Sequence, residues 1–354
     1  MQPGLSFPKN FHPIIIIGAG GIVNDAHLPA YKIAGFEVAG IYDINMEKAK
    51  NTAARFSIPA VYESINQLLA EAPSDVVFDL ALPGNVVISV LQQLPDGAAV
   101  LMQKPMGENY EQAKDILQLT REKKMIAGVN FQLRYAPFIM AAREMINSGG
   151  IGELCDIEVN VNVYTPWQLW DFLYKTSRVE IPYHSIHYID LVRSFLGNPS
   201  GIYAKTVKHP QMLDLASVRS NIIMDYGDMI RANILTNHCH QFGLHNQQSY
   251  LKFEGTKGAI KIKLGVLMNY PAGIPDVFEY VIIEEGKKPE WKTMAIKGSW
   301  FPHAFIGSMS EVMKAAEGSI SSPDNSVEDC IYTMACVEAA YASSEKGAIK
   351  INKT

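Results

Sequence analysis

Short apolar runs alternate with longer amphipathic stretches over the first third of the chain. Residues 14–17 are four consecutive isoleucines, and runs of similar length recur at 36–42, 75–82, 98–102 and 126–130. Such runs are typical of strands buried on both faces of a parallel sheet. The stretches between them predict helices at 24–32, 46–56, 64–71, 86–93 and 109–123. This alternation with short connections predicts a doubly wound parallel sheet.

The pattern changes to strict alternation after Ser148-Gly149-Gly150. Residues 156–164 place isoleucine and valine at every second position, and 221–240, 249–253 and 259–264 also predict strands. Strict alternation is typical of antiparallel sheets that are covered on one face. Helices are predicted at 137–147, at 182–196 and at 326–344, where Ser326 can cap the start and Gly347 ends the helix.

These patterns predict two α/β domains in a chain of 354 residues. The first, over residues 1–132, is a Rossmann-type doubly wound parallel sheet. The second, over residues 133–354, is an α/β domain with a large, mostly antiparallel open sheet. We expect the C-terminal helix, 326–345, to pack back toward the first domain.

Composition restricts the function classes. The chain is 48% apolar and 19% charged, with a formal net charge of −5, which is ordinary for a soluble enzyme and argues against nucleic-acid binding. The longest apolar runs are strand-sized, and the N-terminus does not look like a signal peptide, so we expect no membrane association. Four scattered cysteines without a Cys-x-x-Cys pair predict free thiols and a cytoplasmic protein.

A glycine-rich turn directly follows the first apolar run. Gly18 permits a tight turn, and Gly20 lets backbone approach a pyrophosphate, although the third glycine of the usual pattern is replaced by Val23. The helix that follows would direct its free N–H groups at that phosphate. Asp43, 25 residues after Gly18, can accept hydrogen bonds from a ribose 2′-hydroxyl and would repel a 2′-phosphate. We therefore predict NAD rather than NADP; an ordinary strand–turn–helix with an incidental aspartate is the alternative.

Two further segments carry candidate chemistry at the ligand edge of the first sheet. The loop at Pro83-Gly84-Asn85 follows a buried strand, and so does Gln103-Lys104-Pro105. A lysine at this edge could contact the nicotinamide side of a dinucleotide and polarise a substrate oxygen. The alternative is a solvated lysine before a turn.

The predicted helix 182–196 brings a tyrosine and two histidines together. Tyr183 and His187 are four residues apart on one face, and His184 lies three residues before His187. The positive end of the helix dipole disfavours protonation of an imidazole in the first turns. A neutral imidazole can accept a hydroxyl proton while hydride leaves the same carbon. The alternative is that both histidines fill a polar pocket.

Other histidines are weaker candidates. His184, His187 and Asp190 share a broad helix face, but the pattern is not His-Glu-x-x-His and no cysteine is near, so we predict no metal. His238 and His240 lie on one strand face, where packing or an oligomer contact is the simpler interpretation, although they could reach substrate.

In the order and spacing of its motifs, the chain resembles the glucose–fructose oxidoreductase/inositol dehydrogenase/MocA family over nearly its whole length. The matching segments are Gly18–Ile22 with His27-Leu28-Pro29, Gln103-Lys104-Pro105, 130–137, 186–190 with 195–197, 253–258, and 326–347. The resemblance implies NAD(P)-dependent oxidation or reduction of sugars and polyols, and a Rossmann domain joined to an open-sheet α/β domain. It also implies homodimers or homotetramers formed through that sheet, with Lys104 and His187 catalytic.

Two positions depart from the family pattern. The glutamate before the catalytic lysine is Gln103 here, and the aspartate four residues before the catalytic histidine is Tyr183. A phenol cannot act as a ground-state carboxylate near neutral pH, because its pKa is near 10. It can still donate a hydrogen bond, so the proton relay is altered or shared by His184.

We therefore predict an NAD-dependent dehydrogenase or reductase acting on a secondary hydroxyl or ketone of a sugar, polyol or cyclitol. The expected catalytic residues are Lys104, His187, Tyr183 and His184. The expected cofactor-binding residues are Gly18, Ala19, Gly20, Gly21, Ile22, Asp43, Leu82, Pro83, Asn85, Gln103, Lys104 and Asn130. The expected substrate-binding residues are Lys104, Arg134, Trp167, Trp170, Tyr183, His184 and His187, and Trp300 could also stack on a sugar ring.

Two alternatives remain from the sequence. The first is a glycosidase or lyase that oxidises its substrate transiently with tightly bound NAD, as some proteins of the resembled family do. The second is a catalytically inactive nucleotide or sugar sensor that retains the fold.

Overall fold

A computed structural model describes residues 4–349 and divides the chain into two compact units. One unit comprises residues up to Met140 together with Lys297–Met334, and the other comprises Ala141–Ile296 together with residues from Ala335 onward. The units interleave along the chain, whereas the predicted domains, 1–132 and 133–354, follow one another. The domain boundaries and the docking of the C-terminal helix therefore stay predictions.

The first unit contains the predicted doubly wound parallel sheet. Its strands are β1 (Ile14–Ile17), β2 (Val38–Tyr42), β3 (Ala60–Val61), β4 (Val77–Leu80), β5 (Ala99–Met102) and β6 (Ile126–Val129). All pair in parallel in the order β3-β2-β1-β4-β5-β6. The order reverses between β1 and β4, which is the switch point where such sheets bind ligands.

Nine α-helices are described between residues 4 and 349. They are α1 (Leu28–Ala34), α2 (Met46–Phe56), α3 (Ile65–Glu71), α4 (Gly84–Leu91), α5 (Tyr110–Glu122), α6 (Pro137–Asn147), α7 (Ile186–Leu196), α8 (Ala304–Ala316) and α9 (Val327–Lys346). In this described part of the chain, no helix combines the length and apolarity that a bilayer span requires.

Local side-chain chemistry sets several of the helix starts. The side chains of Asn45, Ser64 and Asn109 accept hydrogen bonds from backbone N–H groups of the first turns of α2, α3 and α5. Asn45 is thus the cap of α2.

Helix α8 completes the core of the first unit and was not anticipated from the apolar pattern. Its buried residues Met309, Val312 and Met313 belong to the same core cluster as Ile14 and Leu101. Because this helix packs against β5 and β6, residues far along the chain return to the parallel sheet.

The second unit is built on one eight-stranded sheet. Its strands are β7 (Leu154–Asn162), β8 (Gly201–Val207), β9 (Arg219–Asp225), β10 (Arg231–Asn237), β11 (Gln248–Gly255), β12 (Gly258–Lys263), β13 (Val277–Ile282) and β14 (Lys292–Met294). Their order is β14-β13-β12-β11-β7-β10-β9-β8, and only β7 and β10 pair in parallel. The predicted, mostly antiparallel open sheet is confirmed. The stretch 221–240 forms two strands, because the chain turns at Gly227 with φ +80°.

Candidate functional site

The predicted cofactor-binding residues meet at one edge of the first sheet. Because all six strands run in parallel, their carboxyl ends lie together. Ile17 is followed by the glycine-rich loop, Tyr42 by Asp43, Leu80 by the loop of Leu82, Pro83 and Asn85, Met102 by Gln103 and Lys104, and Val129 by Asn130. Residues spread over more than a hundred positions of sequence are thus brought to the switch-point edge.

The glycine-rich loop is shaped for close approach of backbone to a ligand. Gly18 has φ +111°, and a Cβ there would lie 2.5 Å from the carbonyl oxygen of Ala81. A Cβ on Gly20 would meet no protein atom within 4 Å. A glycine at position 18 is therefore required for the fold, whereas the lack of a side chain at Gly20 leaves space that a ligand can occupy. This cradle fits the pyrophosphate of a dinucleotide.

Asp43 holds the loop in place. Its Oδ2 accepts a hydrogen bond of 2.7 Å from the N–H of Ala19, and its Oδ1 accepts one of 2.7 Å from the N–H of Asn45. Both carboxylate oxygens of Asp43 are therefore held by backbone N–H groups. The end of β2 thus presents a fixed carboxylate beside the glycine-rich loop.

The helix after the loop differs from the prediction of a regular helix over 24–32. A π turn, Val23–His27, precedes α1. π turns are rare in proteins as a whole, but those that occur are often found at functional sites. Here the turn contains His27, which is fully buried.

His27 belongs to a buried polar cluster that the sequence analysis did not assign. Its Nδ1 lies 2.7 Å from Oδ2 of Asp79, which also accepts a 2.7 Å hydrogen bond from the hydroxyl of Tyr31. Its Nε2 lies 3.0 Å from Nε2 of Gln103 and 3.3 Å from Nδ2 of Asn130. The sequence feature that indicates this cluster is Asp79, because a carboxylate inside a buried apolar strand requires a polar partner.

Lys104 follows β5 and has a perturbed ammonium group. Burial lowers the pKa of Lys104 from its ordinary value of 10.5 to about 8. The N–H of Lys104 donates a 2.9 Å hydrogen bond to Oε1 of Gln103. A lysine with a pKa close to neutral pH is suited to proton transfer and to hydrogen bonding with a substrate oxygen.

Two predicted substrate contacts of the first unit have other partners. Arg134 is buried; its guanidinium donates hydrogen bonds of 2.6 Å to Asp329 and 2.7 Å to the carbonyl oxygen of Asp324. These bonds account for its burial. Trp300 is 3% exposed, with its ring 5.6 Å from that of Phe301, so it packs as a core aromatic.

In the second unit, a π turn also precedes the helix of the candidate acid–base residues. Ile181–Ser185 is a π turn that leads directly into α7. The helix therefore starts earlier than the predicted residue 182, because Glu180 already has helical backbone. His184 lies in the first turn and His187 in the second, and the dipole effect falls off beyond the first turn. The dipole argument made for both histidines is thus strongest for His184.

The indoles of the two predicted tryptophans have different environments. Trp167 is 2% exposed and packs edge-on against His184 and His238, at centroid distances of 5.0 and 5.5 Å. Trp170 is partly exposed and lies 6.1 Å from the ring of Tyr270. Tyr183, also partly exposed, packs its ring 5.6 Å from Phe172. An accessible aromatic surface is therefore offered by Trp170 and Tyr183, not by Trp167.

A buried carboxylate lies at the start of the same helix. Glu180 is fully buried and accepts a 2.7 Å hydrogen bond from Ser185, and its Oε1 lies 3.4 Å from Nε2 of His238. Burial raises the pKa of Glu180, but its interactions with His238 outweigh burial, and the net pKa of Glu180 lies below its ordinary value. The ring of His238 lies 4.3 Å from that of His184. His238 thus joins the cluster around the π turn, while His240 bonds with Asn162 at 3.3 Å.

Two family models match the chain. Residues 13–131 match an oxidoreductase family with an NAD-binding Rossmann fold, and residues 139–261 match the GFO/IDH/MocA C-terminal domain. Together these ranges make up more than half of the chain.

Individual relatives are distant but extend over most of the length. Trans-1,2-dihydrobenzene-1,2-diol dehydrogenase of Xenopus tropicalis is 26% identical over 253 residues, 70% of this chain and 74% of that protein. The 1,5-anhydro-D-fructose reductase of Ensifer adhaerens is 23% identical over 263 residues, 73% of this chain and 77% of that protein.

A solved structure with a similar fold is levoglucosan dehydrogenase in complex with NADH and levoglucosan. It superimposes with a TM-score of 0.77, covering 95% of this chain and 98% of that one at 18% identity. The matches to both family models, in a chain with this parallel sheet and this open sheet, show that the protein belongs to the GFO/IDH/MocA oxidoreductase family.

Proposed function

We propose that this protein is an NAD-dependent oxidoreductase that acts on a secondary hydroxyl or ketone of a sugar, polyol or cyclitol. The observation that carries the proposal is the convergence at one sheet edge of a glycine-rich cradle, an Asp43 carboxylate fixed by backbone N–H groups and a lysine whose pKa is about 8. These three features respectively suit a pyrophosphate, a ribose diol and a reacting oxygen.

The cofactor would be held by the residues at the carboxyl ends of the first sheet. The backbone of Gly18–Ile22 would bind the pyrophosphate, and Asp43 would bind the adenosine ribose and disfavour a 2′-phosphate. Leu82, Pro83, Asn85, Gln103 and Asn130 would line the remaining path at the same edge. A bound nicotinamide supplies the hydride acceptor or donor.

Lys104 would contact the oxygen of the reacting carbon. In its protonated form it donates a hydrogen bond that stabilises negative charge developing on that oxygen. Because its pKa is only about 8, it can also release a proton near neutral pH. Both properties follow from removal of the ammonium group from water.

In the second unit, His187 would accept the hydroxyl proton, and Tyr183 would orient the substrate. His187 is 7% exposed and Tyr183 is partly exposed, at the junction of a π turn and α7. His184 would tune the site through its ring contacts with Trp167 and His238. Trp170 is the tryptophan best placed to stack on a sugar ring.

The substrate class is supported by the relatives. The two relatives described above are named for a cyclic diol and an anhydro sugar, and both compounds carry secondary hydroxyls or the corresponding ketone. The outer sheet face exposes Tyr203, Ile223 and Leu235, at 63%, 51% and 40%, which supports self-association through this face as a dimer or tetramer. None of the four cysteines forms a disulfide within residues 4–349, which supports a cytoplasmic location.

A panel of sugars, polyols and cyclitols tests the proposal. The purified protein is assayed with NAD and with NADP for reduced nicotinamide, and the NAD content is measured after desalting. We expect net NADH with at least one secondary alcohol, and its loss in Lys104→Met but not in the surface variant Lys114→Met. NAD that survives desalting with turnover but no net NADH would instead favour transient oxidation. NAD binding with no turnover on the whole panel would favour a sensor.

A further inference from the structure

The buried cluster around His27 has a defined direction of hydrogen bonding. Asp79 is fully buried and accepts the hydroxyl of Tyr31, and a carboxylate at 2.7 Å from Nδ1 of His27 can only accept there. Nδ1 of His27 therefore carries a proton. The state of the ring is then decided at Nε2.

The side chain of Gln103 determines whether Nε2 of His27 carries a proton. Its Oε1 accepts a 2.9 Å hydrogen bond from the N–H of Lys104, so the amide oxygen points toward that N–H and away from His27. The group that faces Nε2 of His27 at 3.0 Å is then its NH₂, which donates. An Nε2 that accepts this hydrogen bond carries no proton. His27 is therefore a neutral imidazole that donates to Asp79 and accepts from Gln103.

The same chain of bonds reaches the candidate catalytic lysine. Asp79 on β4 fixes the ring of His27, the ring fixes the amide of Gln103, and the amide oxygen holds the backbone N–H of Lys104. Phe305 of α8 packs on the ring at a centroid distance of 5.0 Å, which closes the cluster from the helix side. Every link lies within the first unit.

We propose that His27 is a positioning residue that, as a neutral ring bound to Asp79, sets the orientation of Gln103 and through it the position of Lys104. The inference rests on the proposed function of Lys104. It also explains Gln103: a glutamate at this position would place carboxylates at both ring nitrogens and convert His27 into an imidazolium. Glutamine and neutral histidine are therefore a matched pair in this chain.

NMR of the full-length protein tests the proposal without requiring turnover. The ring ¹⁵N chemical shifts of His27 report whether each ring nitrogen is protonated, and these signals are assigned by their absence in His27→Phe. The ¹³Cε chemical shift of Lys104 reports the titration of the lysine, and this signal is assigned by its absence in Lys104→Met. We expect a neutral Nδ1–H ring at pH 7 in the wild type and a doubly protonated ring in Gln103→Glu. We also expect the titration midpoint of Lys104 to rise from about 8 toward 10.5 in His27→Phe, while Lys114 is unchanged.

Kinetics separate this proposal from the proposed function. With any substrate found active, His27→Phe should lower kcat by about 10- to 100-fold, because a misplaced catalytic group costs that much. The KM for NAD should change less than twofold, and His27→Gln, which can keep both bonds, should recover part of the loss. An unchanged Lys104 midpoint in His27→Phe, or a neutral ring in Gln103→Glu, would overturn the positioning role. If His27→Phe does not fold, the protonation state of the His27 ring in Gln103→Glu tests the proposal by itself. Absence of turnover in the wild type contradicts only the proposed function.

Discussion

Replacing Lys104 by methionine should stabilise the protein at neutral pH. The folded-state pKa of about 8 lies below the ordinary 10.5, and burial of the ammonium group is the cause. The unfolded chain therefore binds the lysine proton more tightly than the folded one, and the protonated lysine opposes folding. A shift of this size corresponds to a cost of about 3 kcal/mol below pH 8. Methionine retains most of the apolar stem without the charge.

The sign of the pH dependence follows from the same linkage. Between pH 8 and pH 10.5, Lys104 is protonated in the unfolded chain and deprotonated in the folded chain. The stability of the wild type therefore increases relative to that of the variant as pH rises through this range. The measurement is denaturant unfolding of both proteins at pH 7 and at pH 10. We expect Lys104→Met to be more stable by about 3 kcal/mol at pH 7 and by about 1 kcal/mol at pH 10.

A surface variant provides the control. Lys114 is paired with Glu111 on the exposed side of α5, and Lys114→Met should change stability little at either pH. A Lys104→Met protein that is less stable than wild type at pH 7, or a stability difference that does not shrink by pH 10, would show that the ammonium group of Lys104 does not oppose folding.

Five further substitutions test the site. Gly18→Ala should destabilise the fold by about 2 kcal/mol or more, from left-handed strain and collision with a carbonyl oxygen, whereas Gly20→Ala should leave thermal unfolding unchanged and weaken NAD binding in calorimetry. Asp43→Asn should lower the ratio of kcat/KM for NAD over NADP by about tenfold, because it removes the charge that repels a 2′-phosphate; an unchanged ratio would count against that role. His187→Ala should lower kcat/KM by about 10²- to 10⁴-fold, more than Tyr183→Phe, with NAD affinity retained; a larger loss in Tyr183→Phe would transfer the main role to the tyrosine.

The parallel sheet was predictable because its strands carry a local signal. Four isoleucines in succession have no polar side to expose, and all four are buried in β1. The glycine at 18 likewise reports a backbone requirement that the structure shows as φ +111°. In the second unit, the alternation at Ile157, Val159 and Val161 gives three buried side chains on one face of β7.

Other features depend on tertiary contacts that no local pattern contains. Helix α8 is apolar on several sides because it is buried, so its sequence lacks the one-sided pattern of α2 or α5. The bonds of His27 join residues 79 and 103, which the folded sheet brings to one place. Both π turns interrupt the regular helix without an unusual composition, which is why the helical stretch leading into α7 was expected to begin at residue 182 and not at Glu180.

Direct hydride transfer is tested by following the hydrogen on the reacting carbon of the substrate. An active substrate deuterated at its secondary carbinol carbon is incubated with the protein and NAD, and the nicotinamide is analysed by mass spectrometry. We expect reduced cofactor that carries one deuterium in wild type and in Lys114→Met, and no reduced cofactor in Lys104→Met. Product formed while the released cofactor carries no deuterium would rule out hydride transfer from that carbon to NAD.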